Sequence, residues 1–306
     1  MALNGPPWIV EPPEFRPSLH GLVDVADALG LVERSAPRPV DAPPDLQESA
    51  EARDSRRWEM GWAFTPDNCI EAEAWDPACG PDGAEKSDAG ENLDVVEVAP
   101  FIVETVFECN TTGFEAIDYE GRARRQLERA VSKALEAELW SGTLLSDNPT
   151  LSSFEDVGDG SGWSLAEALG LLAGAAADCG PGGAGFIHLP ARAGTILTTI
   201  YTFPKVNGEL YTERGDFLVI GSGYTGDGPS GAPTEGTQWV VWTPPVQVRM
   251  TEMQVLTTDL TRALKVDPDT GRRINTVQYR AEALVSAAWG CCGPFGVQAN
   301  VGVAAD

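Results

Sequence analysis

The stretch DYEGRARRQLERAVSKALEAELWSG, residues 118 to 142, restricts the fold more than any other part of the chain, because it carries an unbroken helical period between a start and a stop signal. Leu127, Ala130, Val131, Ala134, Leu135 and Leu139 fall on one broad face at about 100° per residue. Arg125, Glu128, Arg129, Ser132, Lys133 and Glu136 fall on the other. Asp118 suits the N-cap, since its carboxylate can accept from unpaired N–H groups of the first turn, and Gly142 stands where a chain leaves a helix in a left-handed conformation. Glu120 with Arg124, and Lys133 with Glu136, are spaced to pair along the surface. A helix over 119–141 runs about 35 Å, the breadth of a domain.

The flanking text mixes helix and strand. Residues 1–57 hold three Pro-Pro pairs and one short apolar piece, LHGLVDVADALGLVE, which predicts a helix of about three turns in an arm with little core of its own. From Trp58 to Phe101, strand-like pieces flank the acidic, turn-rich DPACGPDGAEKSDAGEN, a pattern that suits a long hairpin with a solvated tip. FIVETVFECN then reads as a strand, SLAEALGLLAGAAADCG as a helix, GFIHLP as a buried strand, ARAGTILTTIYTF as a helix and GDFLVIGSG as a strand into a glycine loop. TQWVVWTPPVQVRMTEMQV, NTVQYRAEALVSAAWG and FGVQANVGV alternate like sheet. No regular βαβ rhythm joins these pieces, so the fold class is α+β.

Charge and motif chemistry exclude several functions. The 46 acidic against 21 basic residues give a net charge of -25, which opposes nonspecific binding to nucleic acid or anionic membrane. No apolar run is long enough for a membrane span, and the start lacks the pattern of a secretory leader. The six cysteines form no CxxC pair and the two histidines, His20 and His188, are far apart, so neither a zinc site nor redox chemistry is expected, only reduced thiols. GSGYTG at 221–226 matches the dinucleotide fingerprint, but DGPSGAPTEG follows it where a helix would have to start, so it reads as a loop between strands. Neither GxSxG nor GK[ST] occurs. His188, within an apolar strand, reads as a core imidazole, and His20 as part of the arm. Arg122, Arg124, Arg125 and Arg129 share their helix with Glu120, Glu128, Glu136 and Glu138, which favours ion pairing over phosphate binding. Nine tryptophans, with Trp58, Trp62 and Trp75 in open-looking segments, suit surfaces that become interfaces.

The order of these elements resembles the major capsid protein of tailed double-stranded DNA bacteriophages, the Hong Kong 97 fold, in the style found among phages of actinobacteria. The residues that carry the likeness are RARRQLERAVSKALEAELWSG as the spine helix, GFIHLP as an axial-domain strand, and WVVWTPPVQVRMTEMQV leading into NTVQYRAEALVSAAWGCCGPFGVQANV. The resemblance implies an N-terminal arm over 1–57 and an extended hairpin over 58–105. It implies a peripheral domain from 106–144 and 245–306 with the spine helix at 119–141, and an axial domain over 145–244. It implies a structural subunit, with no catalytic, cofactor or metal site, that assembles into hexamers and pentamers of an icosahedral head around double-stranded DNA. Scaffolding, portal and decoration proteins are the implied partners, the virion the implied location and the host bacterial cytoplasm the place of assembly. Trp58, Trp62, Trp75, Arg122, Arg125 and Arg129 are the implied assembly contacts. In some relatives a hairpin lysine and an asparagine near the end of the peripheral domain are joined by an isopeptide bond, for which Lys86 and Asn300 are the candidates. The alternatives are an encapsulin-type compartment shell, sharing the fold, and a carboxylate-dependent hydrolase, drawn from the abundance of Trp and Asp/Glu.

Overall fold

Asp118 and Gly142 bound the long helix as their chemistry requires. In the computed structural model, which describes residues 19–35, 62–64, 96–110, 118–178, 183–229, 231–257, 264–266, 273–290 and 292–302, Asp118 Oδ1 accepts from Gly121 N at 2.8 Å. Gly142 closes the other end at φ 60°, its N–H donating to Glu138 O at 2.7 Å.

The elements in chain order are α1 (Leu22–Ala28), β1 (Val32–Ser35), β2 (Trp62–Phe64), β3 (Val96–Val98), β4 (Phe101–Asn110) and the long helix α2 (Tyr119–Ser141). Next come β5 (Glu155–Trp163), α3 (Leu165–Ala177), β6 (Phe186–Pro190), α4 (Ala191–Ile200), β7 (Lys205–Val206), β8 (Glu209–Leu210) and β9 (Phe217–Gly221). The chain ends with β10 (Thr237–Thr243), β11 (Gln247–Thr251), β12 (Gln254–Thr257), β13 (Leu264–Val266), β14 (Arg273–Ala288) and β15 (Phe295–Asn300).

Two sheets are built around β14 and β10. β4 runs antiparallel to β14 from Phe101↔Val285 to Asn110↔Thr276. The opposite edge of β14 takes β11, β12 and β13 in turn, all antiparallel, and β1 joins β11 in parallel. The second sheet has the order β5-β15-β10-β6-β9. Short pairs complete the list: β2 with β3, from Trp62↔Val98 to Phe64↔Val96, and β7 with β8.

Packing follows the helical period. Ala123, Leu127, Val131, Leu135 and Leu139 are buried at steps of four, on the face that α2 turns to β4 and β14. They share one core with Val103, Ala281, Ala283 and Val285 of the first sheet and with Phe186, Val219, Trp239 and Val241 of the second. The other face of the second sheet packs on α3 and α4 through Leu172, Ala176, Leu189, Leu197, Val240 and Val297. α3 begins in a capping box, in which Glu167 N donates to Ser164 Oγ and Ser164 N to Glu167 Oε2.

Several features differ from the sequence reading, each for a physical reason. The apolar piece of the arm does have a core: Leu22, Val25 and Ala26 are fully buried, because α1 lies against α2, β9 and β11. β15 inserts between β10 and β5, where its alternate residues Val297 and Ala299 fill the core beneath α3 and α4. Cys292 is disulfide-bonded rather than a reduced thiol. Lys133 and Glu136 do not meet on a solvated face, because Glu136 is buried. Of the long hairpin, the base is described as the β2–β3 pair and its tip lies outside the described residues.

Candidate functional site: the helix junction and the uncovered surfaces

Glu136 sits where three parts of the chain converge. Its Oε1 accepts from Leu22 N at 3.0 Å and Ser132 Oγ at 3.1 Å, and its Oε2 accepts from Gly223 N at 2.9 Å. One carboxylate thereby joins α1, α2 and the glycine loop after β9. Burial pushes its pKa up, and the hydrogen bonds from Gly223, Leu22 and Ser132 pull the other way. Two residues on, Glu138 accepts from Leu144 N and Leu145 N and so closes the loop that follows α2. Trp140, fully buried, donates from Nε1 to Asp227 O at 2.9 Å, and its ring centroid lies 5.1 Å from that of Tyr224.

The GSGYTG segment is therefore a packing loop. It connects β9 to β10 with no helix between them, and its middle glycine is fixed by closeness to α2. A Cβ on Gly223 would lie 2.2 Å from Lys133 O and 2.8 Å from Ala137 N. Both are backbone atoms, which no rotamer change can move. Gly223→Ala is expected to destabilise the chain by about 1 to 3 kcal/mol, read as a lower urea midpoint at unchanged slope.

His188 is the core imidazole expected from FIHLP. Thr243 Oγ1 donates its one hydrogen to Pro244 O at 2.8 Å, so it accepts from His188 Nε2 at 2.9 Å. Nδ1 is then the unprotonated nitrogen and accepts from the Tyr224 hydroxyl at 2.8 Å. Complete burial lowers the pKa of this imidazole to about 3, which keeps it uncharged at neutral pH. His20 lies at φ 68°, its Nδ1 2.6 Å from Glu209 Oε2.

The residues expected to make assembly contacts are placed unevenly. Trp58, Trp75 and Lys86 lie outside the described residues. Trp62 is buried within the chain against the first sheet, with Nε1 donating to Ser286 Oγ at 2.9 Å and the Arg249 guanidinium 4.6 Å from its ring centroid. Arg122, Arg125 and Arg129 are partly exposed on α2, and Arg125 Nη1 lies 3.8 Å from Asp118 Oδ2. Asn300 ends β15, exposed, with Oδ1 accepting from Gly302 N at 2.8 Å.

The exposed apolar groups lie elsewhere. On β4, Ile102 and Val106 are 56% and 53% exposed on the face turned away from α2, flanking Glu104, which pairs with Arg280. Leu144, Ile200, Tyr201 and Val206 are also uncovered. An open groove of about 380 Å³ runs beside α3, lined among others by Leu169, Gly170, Ala173, Tyr201 and Phe203. Its cation, Arg214, is held by Asp216 at 3.1 Å. Among the described residues no helix is long and apolar enough to cross a membrane. The sequence reading set Glu136 on the solvated face and counted Glu138 among the ion-pairing charges of the helix; only their place within the 3.6 period, next to Leu135 and Leu139, signalled that they border the core.

No family model matches the chain, and neither does any curated protein. Among solved structures, a chain of Microbacterium phage Oxtober96 is 12% identical with a TM-score of 0.51, the match covering 95% of this chain and 90% of that one. The capsid of a native GTA particle is 10% identical with a TM-score of 0.51 over 97% of this chain and 96% of that one. An encapsulin complex from Synechococcus elongatus is 13% identical with a TM-score of 0.46 over 68% and 77%. With both sheets, the long helix and nearly the full length of the chain included in the matches above 0.5, the chain has the α+β capsid fold of the Hong Kong 97 type.

Proposed function

We propose that this chain is the major capsid subunit of a tailed phage, a structural protein that assembles through hexamers and pentamers into an icosahedral shell around double-stranded DNA. The observation that carries the reading is the near end-to-end match to the native GTA capsid, 97% of one chain on 96% of the other. Uncovered Ile102, Val106, Ile200 and Tyr201 agree with it, since large apolar side chains grouped on a surface commonly mark contacts with other chains. Within that reading, α2 with the first sheet forms the peripheral domain, and the second sheet with α3 and α4 forms the axial domain, to which β15 belongs. The arm and hairpin reach neighbours through Trp58 and Trp75, and Arg122, Arg125 and Arg129 present the mixed-charge side of α2 to them. Lys86 and Asn300 remain the crosslink candidates, detected as a reduction-resistant ladder from purified heads. Scaffolding, portal and decoration proteins complete the virion, which is assembled in the host cytoplasm. The role in this reading is structural, with no catalytic, cofactor or metal site assigned.

Size separates this from an enzyme. The purified protein is expected to sediment as capsomers or megadalton particles, seen as closed shells by negative-stain microscopy. A monodisperse monomer or dimer at all concentrations and salt conditions overturns it.

A further inference from the structure

β4 forms one edge of the first sheet. Its ten residues pair with β14 in consecutive steps without a bulge, and among the described residues no strand lies along its other side. An edge of that length and regularity is a template for a further strand. The open stretch has a defined start, because the side-chain amide of Asn148 takes both Ala99 N and Ala99 O at 2.8 Å. On the face turned away from α2, Glu104 lies opposite Glu282 and Val106 opposite Arg280. Arg280 pairs with both carboxylates, and Ile102 and Val106 stand exposed on either side of Glu104.

Contacts around a ring of subunits join unlike surfaces, whereas neighbouring rings of a closed shell meet across two-fold axes, where one surface must fit itself. Resting on the shell reading, we propose that β4 pairs antiparallel with β4 of a second copy in the adjoining ring, Thr105 facing Thr105 on the two-fold axis, so that two first sheets become one. Charge selects this register. Facing residues of an antiparallel pair share a face of the sheet, so one residue of β4 must sit on the axis opposite itself. With Thr105 there, Glu104 faces Val106 of the second copy, and the row across four strands reads Glu282, Glu104, Val106, Arg280. The acids of one copy thus approach the cation of the other, Glu104 lying two strand spacings, about 10 Å, from it. Centring Glu104 instead would set its carboxylate directly against its own copy, a destabilising like-charge pair. Centring Val106 would put both Arg280 in one row, and centring Val103 would set Val106 against Pro100, which has no N–H for the ladder. The helices allow the pairing. α2 packs on β4 and β14, which places its two copies three strand spacings apart, about 14 Å, beyond the roughly 8–10 Å of packed helices.

Single cysteines locate the axis. Thr105 is half-buried, its hydroxyl donating to Ala123 O at 3.3 Å, and Thr105→Cys nearly conserves its size. Particles of this variant, oxidised with diamide and run on a non-reducing gel, are expected to give a reducible species of twice the chain mass and nothing larger, a species not given by the unsubstituted chain. Glu104→Cys and Val106→Cys, at exposed positions, are expected to give no such species singly and the same dimer when the two variants are co-assembled; this pair carries the test where Thr105→Cys prevents folding. Particles that form normally while neither Thr105→Cys nor the mixture links, the result if a strand of another protein held that edge, overturn the pairing and leave the shell reading standing. Linking by Glu104→Cys or Val106→Cys alone overturns the register, and a ladder above the dimer overturns the two-fold. Absence of particles from the unsubstituted chain removes the shell reading and the pairing with it.

Discussion

Lowering the pH from about 6.5 toward 3 is expected to cost the chain about 4 kcal/mol through His188 alone. Its pKa is depressed from 6.5 to about 3 by complete burial, and each unit is worth about 1.4 kcal/mol. The unfolded chain therefore takes up the proton first. The contribution is fully present above about 6.5 and is lost as the pH falls toward about 3. Two carboxyls act in the opposite sense, Glu136 and Asp24, both pushed up chiefly by burial; they favour the fold as they protonate. The difference between wild type and His188→Gln isolates the imidazole. The Gln variant keeps a donor and an acceptor for Thr243 and Tyr224 and is expected to be about 1 to 3 kcal/mol less stable near neutral pH through imperfect hydrogen bonds. The wild-type advantage then shrinks on acidification and reverses before about pH 3, where the loss of about 4 kcal/mol through His188 exceeds it. Parallel curves from pH 7 to 4 would show that His188 is not held neutral.

Glu136→Ala is expected to lower stability by about 2 to 4 kcal/mol at pH 7, because it leaves the buried Leu22 and Gly223 N–H groups and the Ser132 hydroxyl without their acceptor. Glu136→Gln, which keeps the shape and one acceptor oxygen while removing the cost of a buried charge, is expected within about 1 kcal/mol of wild type. The sign with pH follows from the raised pKa. The contribution of Glu136 is greatest below the ordinary carboxylate range and declines as the pH rises through its raised value, so wild type loses ground to the Gln variant on going from acid to neutral. Denaturation across that range checks both statements. An Ala variant as stable as Gln would mean that water replaces the carboxylate at the junction.

How much of this was legible depended on whether the signal was local. The limits of α2 were, because Asp118 and Gly142 act on atoms within four residues of themselves and the period from Leu127 to Leu139 repeats over several turns. The strands FIHLP and FLVIG were, through their short apolar runs, the first of them buried at every position. Glu136 was misplaced on a solvated face because a charged side chain carries no mark of the N–H groups that satisfy it, and those of Leu22 and Gly223 are 114 and 87 residues away. The packing of Trp62 was not legible for the same reason, its partner Ser286 lying 224 residues on. α1 was read as a helix in an arm with little core of its own, since the seven residues do not show the slot that receives Leu22, Val25 and Ala26. The surfaces that would meet neighbours were not legible. Ile102 and Val106 have the letters of any strand, and only the pairing of β4 with β14 shows which face lacks cover.

The placement of α2 has a mechanical consequence. Leu127 and Val131 face the first sheet, while Trp140, farther along the helix in the same core, packs beside Tyr224 in the loop after β9 and is tied to Asp227 of that loop. One sheet cannot turn against the other without bending a continuous helix or drawing an indole out of its socket. A torque applied to either side is therefore transmitted rather than absorbed, and any change in curvature of an assembly built from such subunits must be accommodated between copies, not inside them.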